Sequence, residues 1–243
     1  MPAAAAAIIE PMAAKPQATE LDALARRIHR CRRCPRLVEW REEAAANPPR
    51  RYQGQSYWAR PVSGFGDPAA AVVVVGLAPA AHGGNRTGRV FTGDRSGDWL
   101  FASMHRTGFA NQPTSDHADD GLRLRGAWIT AVNRCAPPAN RPTPAERDNC
   151  LPYLERELEL LSESAVLLAL GSYAWDGVLR AIRAVGGDVP TPKPRFGHGA
   201  EARAGRWALL GCFHPSQQNT FTGKLTEPMM DAVFLRAREL AAQ

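Results

Sequence analysis

The chain has 243 residues, enough for one α/β domain with a sizeable hydrophobic core. It has 30 Lys and Arg residues against 24 Asp and Glu residues, and the net charge of +6 is compatible with a polyanionic partner such as nucleic acid. No run of about 18 apolar residues exists, so we expect no transmembrane helix. The Ala- and Pro-rich residues 1–18 are predicted to form a disordered tail rather than a signal peptide.

Along the chain, helical patterns alternate with short apolar runs. Residues 20–46 favour helix with a break near Cys34, because Pro35 interrupts the pattern. Strands are predicted at 71–75, 127–132, 166–170 and 207–213, and further helices at 98–107, 143–161, 173–185 and 227–242. This alternation predicts a three-layer α/β/α fold with a four-stranded parallel sheet, in one domain spanning residues 19–243.

In such folds, functional sites gather at the carboxyl ends of the strands. The ends predicted here are Gly76–Ala80, Asn133–Cys135, Gly171 and His214. The loops that follow them carry the chain's unusual residue combinations.

Four of the five cysteines form a candidate ligand set. Two residues separate Cys31 from Cys34, Cys135 directly follows the second predicted strand, and Cys150 lies in the next predicted helix. The closely spaced pair and the two further cysteines can supply four thiolates to zinc or to an iron–sulfur cluster. Separate thiols are the alternative, and the spacing does not choose between the metals. Cys212 lies within the fourth strand and is expected to be a core thiol. We expect a cytoplasmic protein, where disulfides are rare.

Two loops carry groups that suit a planar or phosphorylated ligand. After the fourth strand, His214-Pro215-Ser216 places an imidazole at the strand end, either facing a ligand or only capping the loop. After the first strand, a glycine-rich loop ends in Phe91, which offers a face for stacking, and in Asp94. Asp94 precedes a predicted helix, so an N-cap role is the simpler interpretation. The loop does not match a phosphate-binding P-loop.

Together these segments resemble the uracil-DNA glycosylase superfamily, and most closely its family 5, also called type B, which carries a [4Fe–4S] cluster. The matching pieces are Cys31-x-x-Cys34, Gly76-Leu-Ala-Pro-Ala80, Asn85-Arg-Thr-Gly-Arg-Val-Phe-Thr-Gly-Asp94, Arg134-Cys-Ala-Pro-Pro-Ala-Asn140-Arg-Pro-Thr-Pro144, Cys150 and His214-Pro-Ser-Gln-Gln-Asn219-Thr. They occur in the family's order over about residues 20–240.

Two departures from other branches fit family 5. Families 1 and 4 place an Asp or a Glu in the first strand-end motif, where this chain has Gly76-Leu-Ala-Pro-Ala80. Family 4 also reads uracil with an Asn at the position aligned with Ala131. The resemblance to family 5 therefore implies a looser pocket and a broader range of substrates.

The resemblance also implies a role for each site residue. The expected catalytic residues are Asp94, Asn140 and His214. The expected base-binding residues are Gly76, Leu77, Ala78, Ala80, Ala81, Phe91 and Asn140. The expected DNA contacts are Arg86, Arg89, Ser216, Asn219 and Lys224, and the expected ligands of the [4Fe–4S] cluster are Cys31, Cys34, Cys135 and Cys150. Residues 217–224 are a candidate for the loop that enters the DNA groove.

The implied activity is that of a monofunctional glycosylase, which hydrolyses the N-glycosidic bond of uracil, and of bases such as hypoxanthine, in DNA. Double-stranded DNA is the expected partner, with single-stranded DNA as a further candidate, for a monomer that associates with the nucleoid. One alternative is a non-catalytic iron–sulfur protein of the same fold that binds damaged DNA. The other is an iron–sulfur electron-transfer protein.

Overall fold

The computed structural model describes residues 16–243, so most of the predicted tail lies outside the described residues. Residues 16–18 begin the first helix. The helices are α1 Pro16–His29, α2 Pro35–Ala46, α3 Gly84–Thr87, α4 Arg95–Arg106, α5 Pro144–Leu160, α6 Ser172–Ala184, α7 Gln217–Phe221 and α8 Glu227–Ala241, with 3-10 turns at Arg50–Tyr52 and Pro138–Asn140. The strands are β1 Phe65–Gly66, β2 Val72–Gly76, β3 Ala127–Ala131, β4 Val166–Leu170, β5 Glu201–Ala204 and β6 Trp207–Cys212.

These strands form one sheet in the order β1-β3-β2-β4-β6-β5. The four central strands are parallel and are the four that the sequence predicted. Two short strands that the sequence did not predict pair antiparallel with them, β1 at one edge and β5 at the other. Because β5 is partly exposed and β1 has only two residues, neither shows the continuous apolar run of a strand buried on both faces.

Helices cover both faces of the sheet. Alternate valines of β2 belong to different cores: Val73 and Val75 pack with α1, α5 and α6, while Val72 and Val74 pack with α4 and α8. The predicted three-layer α/β/α class is therefore confirmed, with six strands instead of four. No helix within residues 16–243 is both long enough and apolar enough to cross a membrane.

Local signals fix where the helices around the site begin. Thr143 and Glu146 form a reciprocal capping box at the start of α5, where the sequence predicted a helix. Helix α4 begins at Arg95, three residues earlier than predicted, because Asp94 caps it. Between α1 and α2, residues 30–34 form a non-helical link that carries the first two cysteines.

Candidate active site

A cavity of about 440 Å³ lies at the carboxyl ends of β2 and β6. Eight of the sequence-predicted site residues line it, namely Leu77, Ala78, Ala80, Phe91, Asp94, Asn140, His214 and Ser216. The wall is completed by Arg95 and Ser96, which were not predicted, and by Gln217 and Gln218, which belong to the candidate groove loop 217–224. Three separate loops thus bring an aromatic ring, a carboxylate, an amide and an imidazole to one pocket.

Phe91 provides the aromatic wall of this pocket. Its ring lies 5.9 Å from the His214 ring, and its backbone has a left-handed φ of 57°. Gly76 does not line the cavity, but a Cβ there would lie 2.7 Å from the Phe91 ring, so only glycine leaves room for the ring. At position 97 a Cβ would overlap the Phe91 carbonyl oxygen. Two glycines therefore permit a conformation that is strained for a non-glycine residue.

Asp94 has two roles in this geometry. Its Oδ1 atom accepts a hydrogen bond from the Gly97 amide at 3.0 Å, so the residue is the N-cap of α4. A Cβ at Gly83 would overlap the other oxygen, Oδ2, so Gly83 makes room for the carboxylate. Burial is the main cause that raises the pKa of Asp94 above its usual range. A carboxylate with a raised pKa is a better proton acceptor than an exposed one.

His214 presents a neutral imidazole to the pocket. Burial lowers its pKa to about 4, so the ring carries no charge near neutral pH. Hydrogen bonds fix the backbone at this position. The His214 carbonyl oxygen accepts from the Asn219 side chain and from the Ser216 amide, both at 2.8 Å. Asn219 thus supports the histidine loop and does not itself line the cavity.

Asn140 lies on an exposed turn with unusual backbone angles. Asn140 and Ala139 have left-handed φ values of 55° and 51°. Asn tolerates this region better than most residues, whereas consecutive left-handed residues are strained. Strain of this kind persists only where the surroundings impose it, and here it directs the turn towards the pocket.

A wider cleft of about 720 Å³ adjoins the pocket and shares Asp94, Asn140 and Ala80 with it. Of the other predicted residues, Ala81 and Arg86 line this cleft rather than the pocket. The Arg86 guanidinium donates to the His82 carbonyl, to the Gln55 side chain and to the Gly93 carbonyl at 2.9–3.1 Å, so it braces the glycine-rich loop.

Arg89 is placed differently from what the sequence predicted. Its side chain is buried and ion-paired with Asp120 at 2.7 Å, and it also donates to Ser115 and to the Ala118 carbonyl at 2.8 Å. The guanidinium is thus engaged within the protein, and we do not carry the predicted phosphate contact of Arg89 into the proposed function. Lys224, in contrast, is exposed at the end of the histidine loop.

The other four predicted residues, Cys31, Cys34, Cys135 and Cys150, line a single cavity. They come from the link between α1 and α2, from the turn after β3, and from α5. Cys212 lies apart from them in β6 and is fully buried, as the sequence predicted. Within the described part of the chain, no three His, Cys, Asp or Glu side chains converge closely enough to hold a single metal ion.

Sequence reasoning missed one charged residue beside these cysteines. Arg41 is 2% exposed and donates to the Cys135 sulfur at 3.1 Å. The spacing of residues in the sequence indicated its burial, because Leu37, Arg41 and Ala44 recur at helical intervals and share one buried face of α2. A charged residue on a buried face is costly unless an opposite charge or a hydrogen-bond acceptor compensates it.

Comparisons with known proteins agree with this geometry. The family model described as the uracil DNA glycosylase superfamily matches residues 63–238. The type-5 uracil-DNA glycosylase of Mycobacterium bovis is 54% identical over 224 residues, which cover 91% of this chain and 81% of that protein. Type-5 uracil-DNA glycosylases of Mycobacterium leprae and Thermus thermophilus are 53% and 49% identical, over 87% of this chain and over 91% and 94% of their own lengths. The chain therefore belongs to the uracil DNA glycosylase superfamily, and the predicted resemblance to its family 5 is confirmed.

Proposed function

We propose that this protein is a monofunctional DNA glycosylase that hydrolyses the N-glycosidic bond of uracil in DNA and leaves an abasic site. The observation that carries this proposal is the pocket in which Phe91, Asp94, Asn140 and His214 meet. Relatives that are similar over most of the chain bear the name of this activity.

Base binding requires the target to leave the DNA helix. Flipping a base has a free-energy cost of a few kcal/mol, which is smallest for a mismatched base. Stacking on the Phe91 ring offsets about 1–3 kcal/mol of that cost. The Asn140 amide, which can both donate and accept, hydrogen-bonds the polar edge of the base. A pocket of about 440 Å³ also admits a purine, so hypoxanthine is a second substrate.

Cleavage separates negative charge on the base from positive charge on the sugar. The neutral His214 ring donates an N–H hydrogen bond to the base oxygen on which charge develops. Asp94 orients a water molecule towards the sugar C1′ atom, accepts its proton and stabilises the oxocarbenium-like sugar. The C1′–N bond breaks as the water oxygen bonds to C1′, and the free base leaves with the bonding electrons.

The DNA backbone is held by groups around the pocket. Ser216 and Lys224 are suitable phosphate contacts, which set the register without reading sequence. Between them, Phe221 is 71% exposed at the end of α7. An exposed aromatic ring beside a base pocket suits insertion into the gap that the flipped base leaves. We therefore assign the inserting side chain of the 217–224 loop to Phe221.

The cysteine cavity is proposed to hold a [4Fe–4S] cluster through Cys31, Cys34, Cys135 and Cys150. Thiolates around a cluster bind different iron atoms, so four cysteines that line one cavity can hold a cluster without converging on a single point. With the cluster bound, these four cysteines would tie the α1–α2 link to the turn after β3 that leads to Asn140. Its contribution to excision is structural.

The proposed partner is double-stranded DNA, with single-stranded DNA as a further candidate, and the proposed form is a nucleoid-associated monomer. The net charge of +6 supports this assignment. No observation favours the non-catalytic alternative.

The test is single-turnover incubation with end-labelled duplexes that carry one U·G, U·A or hypoxanthine·T pair, followed by alkali. Strand breakage only after alkali identifies a monofunctional glycosylase. Asp94→Asn is the decisive variant, because Asn caps a helix about as well as Asp but carries no charge. Asp94→Asn should keep the wild-type melting temperature but no longer excise uracil. Asp94→Ala should also be inactive, and it should melt at a lower temperature because the cap is lost. No breakage on any duplex, by protein that still binds DNA, would instead identify a non-catalytic binder.

A further inference from the structure

Within residues 16–243, three arginine side chains are buried. Two of them are neutralised by an ion pair with a carboxylate. Arg134 is ion-paired with Glu157, and both side chains are almost fully buried. Arg89 is ion-paired with Asp120 at 2.7 Å. A buried cation without an anionic partner is strongly destabilising, so each carboxylate offsets the burial of its arginine.

Arg41 is the exception. It is as buried as the other two, yet within residues 16–243 no Asp or Glu forms an ion pair with it. Its sequence neighbour Glu42 is exposed and paired with Arg32 at 2.6 Å. The Nε atom of Arg41 is buried without a hydrogen-bond partner.

The contacts of the Arg41 guanidinium are with two cysteine residues. Its Nη1 atom donates to the Cys135 sulfur at 3.1 Å and lies 3.4 Å from the Cys31 carbonyl oxygen. A neutral thiol is a weak acceptor that offers no charge to balance a guanidinium. Four metal-bound thiolates would give this cavity net negative charge beside Arg41.

The main chain of Arg41 contacts the glycine-rich loop. Its carbonyl oxygen accepts a hydrogen bond from the side-chain amide of Asn85 at 3.1 Å. The same amide lies 3.3 Å from the Ala81 carbonyl, and Asn85 is 1% exposed. Asn85 belongs to the glycine-rich loop that ends at Asp94. One residue of α2 thus contacts the cysteine cavity with its side chain and the catalytic loop with its backbone.

We propose that Arg41 is the internal counter-charge of the cysteine-held cluster and the positioning residue that links cluster occupancy to the glycine-rich loop. This inference rests on the cluster assigned above. With the cluster bound, the guanidinium is neutralised and α2 keeps Asn85 in place. Without it, the guanidinium must move towards water, which displaces α2 and the loop attached to it.

The test compares the iron-loaded wild-type protein with Arg41→Lys, Arg41→Gln and Arg41→Met. Reduction adds negative charge to a cluster, and a nearby cation favours the reduced form. We therefore expect Arg41→Gln and Arg41→Met to shift the midpoint potential, measured by redox titration, to more negative values, with Arg41→Lys close to wild type. The control is Arg33→Met, which removes an equal charge from an exposed residue beside the same cysteines, where water screens it.

The second readout is hydrogen exchange of residues 81–87, which should become faster in both neutral variants and stay unchanged in Arg33→Met. A neutral variant that keeps its cluster with the wild-type potential and wild-type exchange would overturn the proposal. If Arg41→Gln and Arg41→Met lose the cluster during purification while Arg41→Lys retains it, the result supports the need for a positive charge at residue 41. Loss of the cluster from Arg41→Lys as well would count against that need. Wild-type protein purified without iron would overturn the cluster and the Arg41 role together, but not the glycosylase activity, which the alkali assay measures.

Discussion

Gly83→Ala should disable the active site through a single added methyl group. A Cβ at residue 83 would overlap Oδ2 of Asp94 and lie 2.9 Å from its Cγ atom, so the carboxylate must retreat by about 1 Å. Because Oδ1 is bonded to the Gly97 amide at 3.0 Å, this movement also breaks the N-cap of α4. A misplacement of this size lowers the excision rate about 100-fold, and loss of the cap reduces the free energy of unfolding by about 1 kcal/mol.

Two measurements separate these effects. Single-turnover excision of U·G measures the rate, and a thermal melt should show a decrease of about 2–4 °C. Gly197→Ala is the matched control, because a Cβ there meets only Ala200 at 3.6 Å, an ordinary contact. Excision and melting at wild-type values in Gly83→Ala would show that Asp94 is not held against Gly83 and would refute the reasoning.

Three further perturbations test other parts of the molecule. The folded-state pKa of His214 is about 4, below the unfolded value of about 6.5, so stability is lost as pH falls through this range, by up to about 3 kcal/mol. His214→Gln should remove that part of the pH dependence from urea midpoints, and an unchanged slope would contradict the assignment. Phe221→Ala should slow excision from duplex DNA about tenfold and leave single-stranded DNA unaffected. Leu235→Ala, which alters another exposed apolar residue, is its control and should change neither. Glu157→Gln leaves the Arg134 guanidinium buried without a carboxylate and should reduce the free energy of unfolding by about 3–5 kcal/mol in urea titrations.

The central sheet could be predicted because each parallel strand is a short apolar run flanked by turn residues. β4 was predicted with its observed bounds, and β2 was displaced by one residue. The edge strand β5 could not be found in this way, since two of its four residues, Glu201–Ala204, are charged and exposed. It pairs with β6 through backbone hydrogen bonds, which leave no apolar pattern in the sequence.

The site was predictable where function is concentrated in loops at strand ends, and less so where a residue acts through partners distant in sequence. Arg89 illustrates the limit. A basic residue in a glycine-rich loop suggests a phosphate contact, but its partner Asp120 is 31 residues away and only the folded chain brings the two together. Arg41 shows the converse, because its position on the buried face of α2 was visible while its partner Cys135 was not.

Asp94 shows why a structural interpretation and a functional one need not compete. The sequence offered an N-cap as the simpler role, and the structure shows that cap on one carboxylate oxygen. The cap is also what suits the second oxygen to chemistry, because a side chain fixed at one atom loses little freedom when it orients a water molecule with the other. The N-terminus of α4 favours negative charge on the carboxylate, while burial raises its pKa above the usual range. The two effects act in opposite directions, and the result is a carboxyl group with a raised pKa on a side chain that the cap holds in place, which neither an exposed Asp nor an uncapped buried one would supply.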